Sequence, residues 1–412
     1  MRPSFFCGWL LAALLGSWAA QAQHRLDGQV RDARTQKPLA YASVFFANST
    51  YGTTTDSTGH FVLDGIPDAQ YELVASYVGY QLYKKQLEVS AAATLTILLQ
   101  PSPTQLDEVV VRPRKNRPSD YQKFLVQFLG NSALSRQCRI ENPEDVVVVY
   151  DEGHRELTAV APRNLRVLNQ ALGYRITYYN FDFKVFYRDN RCEFVGAPRF
   201  EELNSVDARQ QQRWSESRRQ AYAGSLPHFL RSVRENSLAE NGFLVQRMVR
   251  ELSSTEARQR LAQPNDSLAA VLEPEPGLLA RVYSQPLQAA QVCRSEGNPA
   301  RTRLLFANSL QVTYQREQPD DMYVAYVTET RSNNLKDALA NRWLGGQTKT
   351  ALGKALYEPV LEQSQLRLLG PDAIILPNGY LTNPLSVKVD GYWSFERIGE
   401  ALPLDYTPAP LK

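Results

Sequence analysis

Between Leu26 and about Leu99, apolar and polar positions alternate with a period of two, in short runs separated by turn chemistry. The runs are LDGQVRD (26–32), PLAYASVFFA (38–47), GHFVLDG (59–65), QYELVASYV (70–78), QLYKKQLEV (81–89) and TLTILL (94–99). Asp56-Ser57-Thr58-Gly59, Ile66-Pro67-Asp68 and Val78-Gly79-Tyr80 punctuate them as turn or bulge signals. No helical period interrupts this stretch, which predicts an antiparallel β-sandwich of about seven strands. Gly52, Gly59, Gly65 and Gly79 are expected to take backbone conformations closed to other residues. Tyr77 and Tyr80 are expected to pack against the sheet.

The pattern then changes. Asp120 to Leu129 carries apolar residues at 121, 124, 125, 128 and 129, the spacing of a helix face, with Ser119 or Asp120 as cap and Gly130 as stop. Strand patterns follow at 145–151, 157–161, 165–169, 174–187 and 192–200. A polar, Arg-rich helix is predicted over 206–223, and a second helix from Leu226 to Leu238. Residues 263–277 read as loop. Strands are predicted again at 301–315 and 322–330, with further strand-like runs in the tail. Residues 119–412 are therefore expected to form one β-rich α+β domain. Leu165–Tyr178 and Leu304–Tyr314 look alike, each a strand, an Asn-containing turn and a strand ending in Tyr. An internal pseudo-repeat and chance similarity both account for this.

The residues of the first stretch carry a family resemblance. Gly28-x-Val30-x-Asp32, Pro38-Leu39-x-Tyr41-Ala42-x-Val44, Gly52-Thr53-x-Thr55-Asp56-x-x-Gly59-x-Phe61 and Tyr77-Val78-Gly79-Tyr80 occur in that order. Residues 24–100 thus resemble the carboxypeptidase-regulatory-like domain, which implies a transthyretin-like sandwich. The family is common at the N-terminus of exported Bacteroidota proteins, including TonB-dependent receptors. Leu106-Asp107-Glu108-Val109-Val110-Val111 resembles the segment that joins this domain to the plug of such receptors. Only 301 residues follow Val111, too few for a plug and a many-stranded barrel. Residues 119–412 also resemble the stretch that follows the regulatory-like domain in other exported Bacteroidota proteins, through NPEDVVVVYDE, ALGYRITY, GSLPHFLRS and DGYWSFERIGEALPLDY. That resemblance implies no mechanism.

Residues 1–22 add an address. Arg2, the apolar run from Phe5 to Leu15 and the small-x-small site Ala20-Gln21-Ala22 read as an export signal, with the mature chain beginning at Gln23. An uncleaved anchor is the rival reading. Cys7 lies too early to carry a lipid. Residues 101–118 read as a linker. They hold Pro101-Ser102-Pro103 and the basic run Arg112 to Pro118, a solvated spacer or a contact for anionic headgroups. Val109–Val111 is a candidate for adding to a partner's sheet edge, or a last strand of the first domain.

Composition narrows the partner class. Among 412 residues, Lys and Arg number 46 against 43 Asp and Glu, so no strong field points to nucleic acid. Export permits disulfides. Cys138 and Cys192 are the candidate pair, leaving Cys293 over; three buried free thiols is the other reading.

The search for catalysis yields little. His60, His154 and His228 are followed three residues on by Leu63, Leu157 and Arg231, so the H-x-x-E zinc pair of a metallocarboxypeptidase is missing. Gly346 to Lys354 departs from a phosphate loop in its glycine spacing and in Ala355, where Ser or Thr would hold magnesium. His228 is the weak catalytic candidate, with Ser225 and Glu235 nearby in sequence; a helix-cap or interface role competes. Asp145, Asp151, Glu152 and the Asp320-Asp321 pair are acids available to glycoside hydrolysis, or ordinary surface charges. Tyr174, Tyr178, Tyr179, Phe181, Phe183, Phe186 and Tyr187 crowd one stretch, with Tyr392, Trp393 and Phe395 near the end; core packing competes with a groove lining.

The expectation is an exported, non-enzymatic envelope protein, mainly β, without cofactor or metal. It would bind or assemble at the periplasmic face of the outer membrane, beside a receptor-type barrel, through residues 106–111. A secreted hydrolase of glycan or peptide and a surface adhesin are the alternatives.

Overall fold

In the computed structural model, the described residues are 23–102, 116–188, 191–252, 254–256, 259, 267–272, 278–295, 301–327 and 361–408. Residues 1–22, expected as an export signal, residues 106–111 and the phosphate-loop-like Gly346–Lys354 lie outside them.

The alternation of the first stretch produces seven strands in two sheets. They are β1 (Gln23–Asp32), β2 (Ser43–Phe46), β3 (Gly52–Thr54), β4 (His60–Pro67), β5 (Ala69–Ser76), β6 (Tyr83–Val89) and β7 (Ala93–Leu99). One sheet runs β4-β1-β7 and the other β3-β2-β5-β6. The pairing is not wholly antiparallel, since β7 lies parallel to β1. Leu26, Val30, Phe46, Phe61, Ile66, Leu73 and Ile97 fill the space between the sheets. Gly59, Gly65 and Gly79 have positive φ as expected. Gly52 does not. It sits within β3 because a Cβ there would stand 2.5 Å from Arg199 Nε. Asp32 ends β1 as a turn anchor, accepting the N–H groups of Arg34 and Thr35 at 2.7 Å and the Tyr80 hydroxyl at 2.6 Å. These bonds hold its carboxyl down at about 2.

Both Phe45 and Phe46 are fully buried on β2, where alternation alone would bury one. Phe46 faces the sandwich core. Phe45 points out of the sandwich and packs with Ala47, Val74, Tyr179 and Ala197, its ring 4.7 Å from that of Tyr179. The sandwich is thereby seated on the rest of the chain, and a parallel bridge between Ser49 and Arg199 continues the contact.

Where one α+β domain is expected, two six-stranded sheets form, each with its own core. Helix α1 (Pro118–Leu129) begins at Pro118, with Arg117 in place of the expected Ser or Asp cap, and stops at Gly130 with φ 97°. Pro at the first helical position has no N–H to leave unpaired there. The strands β8 (Cys138–Ile140), β9 (Val147–Asp151), β10 (Glu156–Ala161), β11 (Leu165–Asn169), β12 (Tyr174–Phe186) and β13 (Arg191–Glu202) follow. Their order is β8-β11-β12-β10-β9, with β13 on the other edge of β12. Phe124 and Phe128 of α1 meet Phe181 and Phe183 of β12 edge-on at 5.0–6.1 Å. The aromatic crowding of the sequence is core packing: Tyr174, Tyr178, Phe181 and Phe183 are each at most 3% exposed.

Helices α2 (Ala208–Tyr222) and α3 (Leu226–Arg234) lead into the third unit, capped by Asp207 and Ser225. Its main sheet is β15-β16-β14-β19-β20-β22, built from β14 (Phe243–Leu252), β15 (Leu268–Leu272), β16 (Leu278–Pro286), β19 (Ser309–Tyr314), β20 (Glu362–Leu368) and β22 (Val387–Gly391). A small sheet of β17 (Cys293–Ser295), β18 (Thr302–Leu304) and β21 (Ala373–Ile375) lies beside it. Three expectations fail here. Residues 268–272 form a strand, not loop. Residues 321–327 are helical, because the Asp320 carboxylate accepts the Met322 N–H at 2.7 Å and starts a helix. The pseudo-repeat is not structural, since β11–β12 is a hairpin within one sheet while β18 and β19 belong to different sheets.

The C-terminal stretch joins all three units. Trp393 enters the third core and donates its indole N–H to the Gly224 carbonyl at 2.8 Å. Ile398 enters the second core, and the Gly399 carbonyl accepts from Asn169 at 2.9 Å. Leu404 donates to the Asn48 carbonyl of the sandwich at 2.6 Å.

Candidate functional site

The residues singled out from sequence do not assemble into a catalytic group. His228, 3% exposed, lies one turn into α3 with its ring 4.8 Å from those of Tyr222 and Phe243. Its Nδ1 accepts the Gly224 N–H at 3.2 Å. Burial, then the nearby guanidinium groups of Arg231 and Arg316, depress its pKa to about 4, so the ring is neutral at pH 7. The Ser225 hydroxyl donates to the Tyr222 carbonyl at 2.7 Å and accepts the His228 backbone N–H, as a helix cap does. It does not face the imidazole as a nucleophile faces its base. Glu235 sits at the opposite end of α3. The His228 candidate is thus corrected to a packed structural histidine.

The proposed Cys138–Cys192 bridge is also corrected, because all three thiols are free. Cys138 pairs with Asn169, which faces Tyr174 at the start of β12. Cys192 pairs with Val185 near its end. Burial raises all three thiols, Cys138 to about 12. The remaining acids scatter. Asp145 accepts from Asn142 at 3.0 Å, Asp151 pairs with His154 at 2.8 Å, and Asp320 accepts the Ala133 N–H at 2.9 Å. Among the described residues, no group of three or more His, Cys, Asp and Glu is arranged to hold a metal ion. No helix among them is long and apolar enough to cross a membrane.

A different site lies where the second and third units meet. A groove of about 1020 Å³ opens between α2 and the turn after β11. Arg213, Ser217 and Gln220 form one wall, Gln170 and Ala171 the opposite one, and Glu317 and Gln318 close one side. Its base is rigid. Trp214 donates its indole N–H to the Gln170 carbonyl at 2.8 Å, and Arg218 donates to the Leu172 carbonyl at 2.8 Å and to Glu202 at 2.9 Å. The Arg218 guanidinium lies 4.0 Å over the Tyr174 ring. Gly173, at φ +70°, makes room for Trp214, since a Cβ there would stand 2.3 Å from the indole.

Glu317 and Gln318 also line a smaller enclosed cavity of about 50 Å³, with Asp320, Glu362, Tyr392, Glu396 and Glu400 around it. Burial and neighbouring carboxylates raise three of them, Glu362 to about 8 and Glu400 to about 7, with Glu396 well above the ordinary carboxylate range. Sequence reasoning did not find this cluster. Its members come from three separate stretches, and only the i, i+4 spacing of Glu396 and Glu400 is visible locally. The groove suits a polar ligand, with amide and guanidinium donors on rigid walls. The small cavity admits species the size of water and excludes a sugar ring or a peptide unit.

Comparison with known proteins places the first unit. Residues 26–111 match the family model described as the CarboxypepD_reg-like domain. The sandwich is a carboxypeptidase-regulatory-like domain, and the fold as a whole is mainly β. No curated protein matches the chain. Among solved structures, a catechol 1,2-dioxygenase from Acinetobacter sp. ADP1 is similar at 12% identity, over 21% of this chain and 55% of that one, with a TM-score of 0.18. The group B streptococcus pilus 2b backbone protein is similar at 15% identity, over 19% and 41%, with a TM-score of 0.18. A type II cohesin–X-dockerin complex from Acetivibrio cellulolyticus is similar at 16% identity, over 27% and 76%, with a TM-score of 0.18. The chain spans about half the length of the first two.

Proposed function

We propose that this chain is an exported, non-enzymatic envelope protein that binds a partner in the groove between its second and third units. The observation that carries this reading is the groove itself, a polar recess on a braced helix, with its base fixed by Trp214 and Arg218. Binding elements held on rigid secondary structure lose little entropy on engaging a ligand. The seating of the sandwich through Phe45 and Tyr179 supports one solid body that presents two surfaces at a fixed angle.

The proposed location is the periplasmic face of the outer membrane, with an outer-membrane barrel as partner and residues 106–111 as a further contact. What supports this is the regulatory-like domain matched over residues 26–111, together with the resemblance of that stretch to the N-terminal domains of exported receptors. The hydrolase alternative has the raised acids beside the groove on its side, but their cavity is too small for its substrates.

Cross-linked recovery of the mature protein from its native envelope, with membrane and soluble fractions assayed separately, tests the reading. Recovery of a barrel protein from the membrane fraction, lost on deleting residues 106–111, is the expected result. A soluble protein with no cross-linked partner would overturn it.

A further inference from the structure

The C-terminal stretch that joins the three units carries two half-buried acids, Glu396 and Glu400. Glu396 and Glu400 share their small cavity with Glu362 of β20 and with Glu317 and Asp320 beyond β19. Glu362 is 5% exposed, and its Oε2 has no hydrogen-bond partner; neither has Oε1 of Glu400. Gly224 allows this approach, since a Cβ there would stand 2.3 Å from Glu362 Oε2.

The groups that face the cluster come from every element around it. Arg219 of α2 faces Glu317, and the Ser132 and Tyr392 hydroxyls are the polar neighbours of Glu400 and Glu362. Tyr314 and Asp320 complete the ring. Arg316 reaches the Glu240 carbonyl, and Arg397 turns to Cys192. Among the described residues, no cation offsets Glu362, Glu396 or Glu400. Like charges buried together cannot all ionise, so the cluster must retain protons or draw apart. Among the described residues these acids are not arranged to hold a metal ion.

We propose that Glu362, Glu396 and Glu400 form a proton-operated latch that clamps the C-terminal stretch against β20 and the segment after β19, and that releases this junction when they ionise. The pH direction follows from their raised pKa values. The stabilising contribution is complete below the ordinary carboxylate value of 4.5 and is lost as pH rises through about 7 and about 8. Because Glu317 lines both the cavity and the groove, release would also move one side of the groove. That consequence rests on the binding reading above; the latch does not.

Hydrogen exchange of the full mature chain, corrected for intrinsic rates, tests the latch between about pH 5.5 and about pH 8.5. Protection over 362–368 and 392–404 is expected to fall at least roughly tenfold across that range, while the sandwich core keeps its own. The Glu362→Gln/Glu396→Gln/Glu400→Gln variant, which mimics the protonated forms, is expected to abolish the fall. Unchanged protection in the wild type, or a fall that persists in the variant, would overturn the latch. If the variant does not fold, infrared spectra of the wild type decide. Protonated carboxyl bands that persist at about pH 6.5 and disappear by about pH 9 support the latch, and their absence at about pH 6.5 contradicts it.

Discussion

The Asp405 carboxylate accepts the backbone N–H of Thr50 at 2.9 Å and the Thr50 hydroxyl as well, tying the C-terminal stretch to the first domain. Together with the Leu404–Asn48 bond, it completes a path from the third core through the second to the sandwich. A domain that sequence alone would leave on a linker is therefore held in place. Asp405→Ala removes both bonds and leaves Thr50 unpaired, at a cost of about 1–2 kcal/mol. Urea unfolding should show the loss, and proteolysis should cut faster near residues 47–52.

His228 is a packing residue whose neutrality matters. Its pKa is depressed from 6.5 to about 4, so its contribution is present above 6.5 and lost as pH falls toward 4. The latch acids act in the opposite direction, losing their contribution from about 4.5 upward, so between about pH 4.5 and about pH 6.5 the two effects oppose each other and the three acids outweigh the one histidine. His228→Phe should flatten the acid side while costing about 1–2 kcal/mol at neutral pH, through the lost Gly224 bond. Urea midpoints across the range measure both effects.

Gly173→Ala should be the most damaging small change at the groove. The added methyl would meet Trp214 at 2.3 Å in a backbone conformation that favours glycine. A loss of about 1–3 kcal/mol is expected, with altered Trp fluorescence as the indole shifts.

Cys138, Cys192 and Cys293 should all titrate as thiols in the denatured chain prepared from Gln23 onward, and a reductant should leave the melting temperature unchanged. In the native state Cys138 should alkylate slowly, its thiol pushed to about 12 by burial. Fewer than three thiols on denaturation would contradict the structure.

The sandwich was legible because its alternation is local: Leu26, Val30 and Asp32 announce the inner side of β1 along one run. β14 escaped notice because Arg247, Arg250 and Glu251 break its apolar period. In the fold those charges are met across the sheet, Arg250 by Asp390 and Glu251 by Arg281. The 322–327 run is rich in β-forming residues, yet one capping carboxylate at Asp320 turns it into helix. The groove and the acid cluster left little local trace beyond the Glu396–Glu400 spacing, because Gln170, Arg213, Glu317, Glu362 and Glu400 meet only through the packing of two sheets.

The binding reading is tested most directly by a photo-crosslinking side chain placed at Ser217, in the groove wall, with one at the exposed Leu252 as the control. In native cells the Ser217 probe should give a discrete adduct in the membrane fraction, absent from Leu252 and lost when Arg213→Glu is added. Because Arg213 is exposed, that substitution should change stability by no more than about 0.5 kcal/mol. No adduct above the Leu252 control, or an adduct indifferent to Arg213→Glu, would contradict the groove as the recognition surface.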